Sequence, residues 1–259
     1  MRTYAANAIV LRRIDLGEKD RILTLYTREA GKLSAVAKGS RRPGSKLAGA
    51  SEPFTCSKMC LARGRDLDVV SQADTRESFP NIRSDMRAVA YAVYALELVG
   101  SFVDERQPNP DLYDTLLSAL YVLESGADAE IAARYFELQI LALLGYEPAY
   151  ESCARCGRAA RPPAGGEGEL AFSAALGGLV CGDCGAPPGD ALFARGAVTT
   201  YLDALRQAEP HRLKGMRFPI GARRDLANIL RRHIRYRLER DLKSVDFIGV
   251  VESLERQDA

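Results

Sequence analysis

Over the first 80 residues, apolar and polar positions alternate in short runs; beyond Pro80 the apolar positions recur every three or four residues. The chain therefore reads as strands followed by helices. Segments 6–13, 21–27 and 32–38 are rich in aliphatic and β-branched residues and are separated by short polar breaks, which predicts an antiparallel meander. Gly31 suits the second turn because it reaches positive φ without a Cβ clash. Two more strands are expected at 54–63 and 68–73. Five strands in so few residues, joined partly by a Gly/Ser-rich loop, predict a small closed barrel of the OB type, with another small antiparallel barrel or sandwich as the alternative.

In the helical part, Ser84 is the expected cap of a helix whose apolar positions Ala88, Tyr91, Ala92, Ala95, Leu98, Val99 and Phe102 share one face. A second helix is expected over 111–123. A third is capped by Asp128, runs to Leu144 and is closed by Gly145. Segment 151–190 shifts to Cys, Gly and Pro with little periodicity, and two further helices follow at 196–207 and 222–241. The tail 257–259 is expected to fray. The fold class is α+β, with a barrel over 1–80, a helical bundle over 81–150 and 191–250, and a small insert over 151–190.

Composition sharpens this picture at one point. Of 259 residues, 47% are hydrophobic and 27% charged, the balance of an ordinary globular chain. The longest apolar stretch, 88–103, is interrupted by Glu97 and is too short to span a bilayer, and the N-terminus lacks a signal-peptide core, so a cytoplasmic location with no membrane partner is expected. Six cysteines in a reducing compartment do not suggest a disulfide framework.

Four of them form two close pairs. Cys153 with Cys156 and Cys181 with Cys184 each have two intervening residues, the spacing that lets both thiolates of a knuckle reach one tetrahedral ion. Gly157 and Gly185 follow each second cysteine, where the backbone must turn back toward sulfur. One structural Zn2+ is the expected cofactor, ahead of redox-active cysteines. A closed four-thiolate shell leaves no position for a reactive water, so its role is to hold a segment too poor in apolar residues to fold on a core. Cys56 and Cys60, four apart in a strand, are expected in the core.

Candidate phosphate contacts lie in the loop after the third strand. Lys38, Arg41, Arg42 and Lys46 give four cations and no acid across 38–46, which fits phosphate tracking and equally fits a solvated surface loop. The helix at 222–241 carries a second run of arginines. Its residues Arg224, Arg231 and Arg235 share a flank suited either to phosphate or to acidic helices, and Arg237 is expected to meet a buried carboxylate. The two histidines, His211 and His233, fall in no nucleophile or metal motif, and there is no Walker-type glycine loop, so the chain reads as a non-enzyme. Although the net charge is only +2, residues 1–80 hold 15 bases and 9 acids while 81–150 hold 4 and 11. Near-neutrality thus conceals a basic barrel beside an acidic helical segment.

The order of the pieces resembles the RecO family of bacterial recombination mediators. In the barrel the resemblance is carried by Ala8-Ile9-Val10-Leu11, Gly31-Lys32-Leu33, Val36-Ala37-Lys38-Gly39-Ser40-Arg41, Leu47-Ala48-Gly49 and Pro53-Phe54. It continues through Leu143-Leu144-Gly145-Tyr146-Glu147-Pro148, the first cysteine knuckle, Gly178-Leu179-Val180-Cys181 and the stretch from Ser244 to Phe247. This resemblance implies a non-catalytic protein that binds single- and double-stranded DNA and promotes strand annealing. With RecR, and often RecF, it would place RecA on gaps covered by single-stranded DNA-binding protein. The same resemblance makes the barrel the main DNA surface, with Lys38, Arg41, Arg42 and Lys46 as contacts and Arg12, Arg13 and Lys32 as weaker neighbours. A protein-interaction scaffold with incidental DNA binding and a zinc-ribbon RNA-binding factor are the alternatives.

Overall fold

The computed structural model describes residues 2–160 and 168–257. In chain order the elements are β1 (Thr3–Leu16), β2 (Asp20–Thr27), β3 (Gly31–Ala37), α1 (Leu47–Ala50), β4 (Cys56–Ala62), β5 (Asp68–Glu77), α2 (Pro80–Ser84), α3 (Met86–Phe102), α4 (Pro110–Glu124) and α5 (Ala129–Leu143). They continue with β6 (Glu169–Ser173), β7 (Gly178–Val180), β8 (Leu192–Arg195), α6 (Val198–Arg206), α7 (Ile220–Leu238) and α8 (Lys243–Gln257). The chain divides into two compact units, one formed by residues 1–126 with 242–259 and the other by 127–241. This division differs from the three segments drawn on the sequence, because α8 returns to the first unit and the cysteines share the second with α5 to α7.

In the first unit, β1 to β5 close into a barrel of order β1-β2-β3-β5-β4 with β4 pairing back onto β1. All neighbours are antiparallel except β3 and β5, the arrangement of an OB fold. Alternation decides which side chains enter. On β3, Leu33, Ala35 and Ala37 point inward, where they meet Leu23, Leu25, Met59, Leu61 and Val70. Small Ala6 and Ala8 lie in the same interior as these larger residues, the mix of sizes a narrow barrel needs. A register shift between Val10 and Arg12 bends β1 so that one long strand serves both β2 and β4.

Helix α3 begins one residue later than expected. Asp85, not Ser84, is its cap: the Asp85 carboxylate accepts from the N–H groups of Arg87 and Ala88, while Ser84 closes α2 and donates its hydroxyl to the Asn81 carbonyl. The expected caps of α5 are present, with Asp128 accepting from Glu130 and Ile131 N–H and Gly145 at φ +76°. Helix α8 was not anticipated from the sequence. Its first N–H groups, those of Lys243 and Ser244, donate to the carboxylate of Glu97, so the acid that interrupts the apolar stretch of α3 serves as a remote cap. Of the tail expected to fray, Gln257 ends α8, and residues 258 and 259 lie outside the described residues.

Within the second unit, β6, β7 and β8 form a three-stranded antiparallel sheet of order β7-β6-β8. The low periodicity of 151–190 gives no sign of β6 and β7. The strands were missed because β7 has only three residues and the pattern around them is broken by glycines. Leu170, Phe172 and Leu179 of this sheet are fully buried, and Phe172 meets the ring of His233 on α7 edge to face at 5.9 Å. Among the described residues, no helix is long and apolar enough to cross a membrane.

Candidate nucleic-acid interface and metal centre

The basic loop leaves β3 at Ala37 and is fastened at its start. Gly39 N–H donates to the Asp20 carboxylate at 2.7 Å and Arg41 N–H to the Lys19 carbonyl at 3.0 Å, which docks the loop against the β1–β2 hairpin. Gly39 has φ +66°, a conformation that lets the chain turn away from β3 there. Arg41 reinforces the dock, donating to the Gly17 carbonyl at 2.7 Å and lying 3.5 Å from Asp15. Lys38, Arg42 and Lys46 are exposed, and no acidic partner is found for them among the described residues. A fixed loop that presents free cations is suited to phosphates, because the charges are held in place and not neutralised by the fold.

The weaker candidates separate. Arg12 is exposed on β1 without a partner among the described residues. Arg13 is bonded to Glu52, and Lys32 donates its ammonium to the Gly100 carbonyl at 2.9 Å, so both are engaged by the fold. Glu52 also takes Arg21 at 3.1 Å, and Arg21 reaches the Ser51 hydroxyl at 2.6 Å. This cluster pins the chain just after α1, which follows the loop, onto β2. Arg83 completes the support: it donates to Ser78, Pro53 and Thr55 and stacks 4.2 Å from the centre of the Phe54 ring. Burial, joined by the nearby Arg13 charge, holds the pKa of Arg83 below its ordinary value, with the Glu52 charge opposing it only in part. Arg21 and Arg83 were not anticipated, since nothing in their local spacing distinguishes a supporting arginine from a solvated one.

On α7 the arginines divide differently from expectation. Arg223, not the trio on the flank, bridges the acidic helix, with Asp128 at 2.7 Å and Glu130 at 3.6 Å. Arg224 is exposed, and Arg235 pairs with Asp241 at 2.9 Å beyond the helix end. Arg237 meets aromatic rings instead of a carboxylate, lying 5.8 Å from the ring centre of Tyr146 and 5.7 Å from that of Tyr236. Of the two remaining cysteines expected in the core, Cys56 is buried as expected and Cys60 is only partly so. Both lie on the outer face of β4, where the Cys56 thiol is buried 3.2 Å from the Tyr113 hydroxyl of α4 and Cys60 is half-buried.

The four knuckle cysteines converge. Their sulfurs all lie within 4.8 Å of one another, with contacts of 3.7 Å for Cys153 to Cys184, 3.6 Å for Cys156 to Cys181 and 3.5 Å for Cys181 to Cys184. A tetrahedron with metal–sulfur bonds of about 2.3 Å has edges of roughly 3.8 Å, so the donor set fits one zinc-sized ion. Gly157 and Gly185 have φ of +73° and +80°, the turns the sequence called for. N–H groups of Arg155 and Cys181 point at the Cys153 sulfur at 3.4 and 3.3 Å. Burial alone would raise the Cys153 thiol, but these backbone donors outweigh it and bring it down to about 6, which favours the thiolate a metal requires. With all four positions taken by sulfur, the arrangement can hold structure but cannot present a metal-bound water.

Comparison with known proteins agrees with this geometry. The family model described as Recombination protein O N terminal matches residues 1–79, and that described as Recombination protein O C terminal matches residues 83–246. A DNA repair protein RecO of Pelotomaculum thermopropionicum is 43% identical over 248 residues, covering 96% of this chain and 94% of the relative. A DNA repair protein RecO of Desulforudis audaxviator is 40% identical over 248 residues, covering 96% and 97%. One from Symbiobacterium thermophilum is 38% identical over 259 residues, covering 98% and 99%. A barrel of OB order, a helical region and a four-cysteine centre thus occur in one chain matched almost end to end, and the chain belongs to the RecO family of DNA repair and recombination proteins.

Proposed function

We propose that this protein is a non-catalytic recombination mediator that binds single- and double-stranded DNA through its barrel and promotes annealing of complementary strands. In this reading it acts with RecR, and with RecF, to help load RecA at gaps coated by single-stranded DNA-binding protein. One structural zinc ion held by Cys153, Cys156, Cys181 and Cys184 fastens the cysteine segment, which has few apolar residues of its own to fold on. The observation that carries the reading is the loop at 38–46, which is fastened at its start and followed by a pinned α1 turn, while Lys38, Arg42 and Lys46 stand exposed without acidic partners among the described residues. Arg41 positions that loop and shares its charge with Asp15, and Arg12 extends the basic face along β1. Mechanistically, complementary strands repel through their phosphates; a protein that neutralises phosphates without reading bases lets them approach and pair.

Substituting Lys38, Arg42 and Lys46 together by Ala tests this, because none of the three holds the fold. Affinity for a single-stranded oligonucleotide should fall, and the slope of log affinity against log salt should become shallower by about 2, three contacts at roughly 0.7 each. Annealing should slow in parallel. An unchanged salt slope would remove the loop from the DNA surface.

A further inference from the structure

A second group of cations lies at the end of β1 away from this hairpin. Thr3 pairs with Ala62 at one end of β1, and Leu16 pairs with Asp20 at the other, where Arg41 docks. The 13 residue steps between them correspond to about 40 Å along the strand at roughly 3.3 Å per residue. Immediately outside the first pair stand Arg2 and Arg63, joined by a backbone hydrogen bond from Arg63 N–H to the Arg2 carbonyl at 3.0 Å. With Tyr4 and Arg106 they line an open cavity of about 380 Å³.

One wall of this cavity is built around a buried charge. Asp68 is fully buried and accepts from the Tyr4 hydroxyl, from the Gly64 N–H at 3.1 Å and from Nη2 of Arg106 at 3.0 Å. These donors outweigh the effect of burial and keep the Asp68 carboxyl below its ordinary pKa. Arg106 also adopts φ +57°, a left-handed conformation costly for a residue with a side chain, and its N–H is held by the Lys32 carbonyl at 2.8 Å. The fold thus spends backbone strain and a buried carboxylate on placing this guanidinium at the cavity, where its side chain stays one-third exposed. The other acid on the wall, Glu29, is clasped by the backbone and side-chain amides of Asn7 at 2.8 and 2.7 Å. Arg2 and Arg63 are exposed and have no acidic partner among the described residues.

We propose that the free guanidiniums of Arg2 and Arg63, on a cavity wall that the Arg106–Asp68 pair fixes in place, form a second phosphate-binding basin on the barrel, which holds a second nucleic-acid strand while the loop at 38–46 holds the first. Planar guanidiniums match phosphate oxygens in pairs. Two phosphate-binding ends on one barrel give annealing a physical basis, since each strand is neutralised at its own site and both are carried on one body. The proposal rests on the DNA-binding reading above and deepens it.

The test uses the full-length protein with Arg2→Ala and Arg63→Ala combined, which leaves the Asp68 network intact. First-strand affinity is read by anisotropy of a labelled oligonucleotide. Second-strand capture is read by retention of a differently labelled, non-complementary oligonucleotide on protein already saturated with an immobilised one. First-strand affinity should stay within about twofold, whereas second-strand capture and annealing rate should each fall about tenfold or more at 0.1 M salt, as expected for two lost phosphate contacts. The variant lacking Lys38, Arg42 and Lys46 should show the reverse emphasis, losing first-strand affinity. Undiminished second-strand capture would overturn the proposal. So would equal loss of first-strand affinity in both variants, which would mean one continuous path. A change confined to binding of a poly-glutamate peptide would also overturn it, in favour of an acidic protein partner. Failure of the unaltered protein to bind any oligonucleotide would instead reject the DNA-binding reading itself.

Discussion

The barrel and the cysteine centre solve the same problem by opposite means. The barrel buries eleven apolar residues inside a closed hydrogen-bonded ladder, so it has no free sheet edge and its stability is spread over five strands. Around the cysteines, the buried cluster among the described residues consists of Cys153, Val180 and Cys181, with Ala171 and Cys184 partly buried against it. Such a cluster removes little apolar surface from water, and two of its three members are themselves metal donors. Stability is distributed in one region; in the other, on the reading that the four sulfurs hold one ion, it is concentrated there. A distributed region tolerates the loss of any one contact, and a concentrated one does not.

The largest test of that contrast is Cys153→Ser. Structural zinc contributes on the order of 10 kcal/mol or more to small metal-held segments, so one missing thiolate should release the ion and expose residues 151–160 and 178–185 to protease. The barrel should be unaffected, with oligonucleotide affinity and salt slope unchanged. Retention of one zinc per chain by elemental analysis would break the comparison, and so would loss of the barrel with the metal. The converse substitution is Leu33→Ala in the barrel interior, where the side chain is fully buried among Leu23, Leu25 and Leu61. It should cost about 2 to 5 kcal/mol, read as a lower denaturant midpoint, with zinc content unchanged. A fall in bound zinc on Leu33→Ala would show that the two regions are not independent.

The same contrast explains what the sequence revealed. The barrel was legible as strict alternation, because a strand with one buried face must repeat every two residues, and the order of five strands with a Gly/Ser-rich loop limited the topology. The cysteine centre was legible as spacing, because two knuckles need only local geometry and a turn glycine. What escaped notice depends on partners distant in sequence. Helix α8 is capped by Glu97, 146 residues before Lys243, and no local motif marks it. Arg13 and Lys32 looked like surface cations until Glu52 and the Gly100 carbonyl took them. Arg237 found rings, not the expected carboxylate, because Tyr146 comes from a loop after α5 that periodicity does not place. For the candidate site, the sequence therefore identified which residues carry charge, while the fold decided which charges remain free to meet a phosphate.

The smallest expected effect separates the two units by pH. Both histidines lie in the second unit, and His233 is fully buried on α7, with Nε2 donating to the Tyr146 carbonyl at 2.7 Å and Nδ1 buried without a hydrogen-bond partner among the described residues. Burial holds its pKa below the ordinary 6.5; the Tyr146 hydrogen bond opposes this and the Arg237 charge adds to it. Below pH 6.5 the unfolded chain therefore takes up a proton that the folded unit refuses, so stability is fully present above that pH and falls as the solution is acidified. The slope from this one group is at most about 1.4 kcal/mol per pH unit. Zinc ligands also bind protons as pH falls, so the informative quantity is the difference between the unaltered protein and His233→Gln at fixed zinc. Between pH 6.5 and 5.5 the unaltered second unit should lose midpoint faster than the variant, while the barrel, which contains no histidine, should show no difference. Parallel pH profiles for the two proteins would mean that His233 is protonated in the folded unit. The contrast between the regions would then rest on the metal alone.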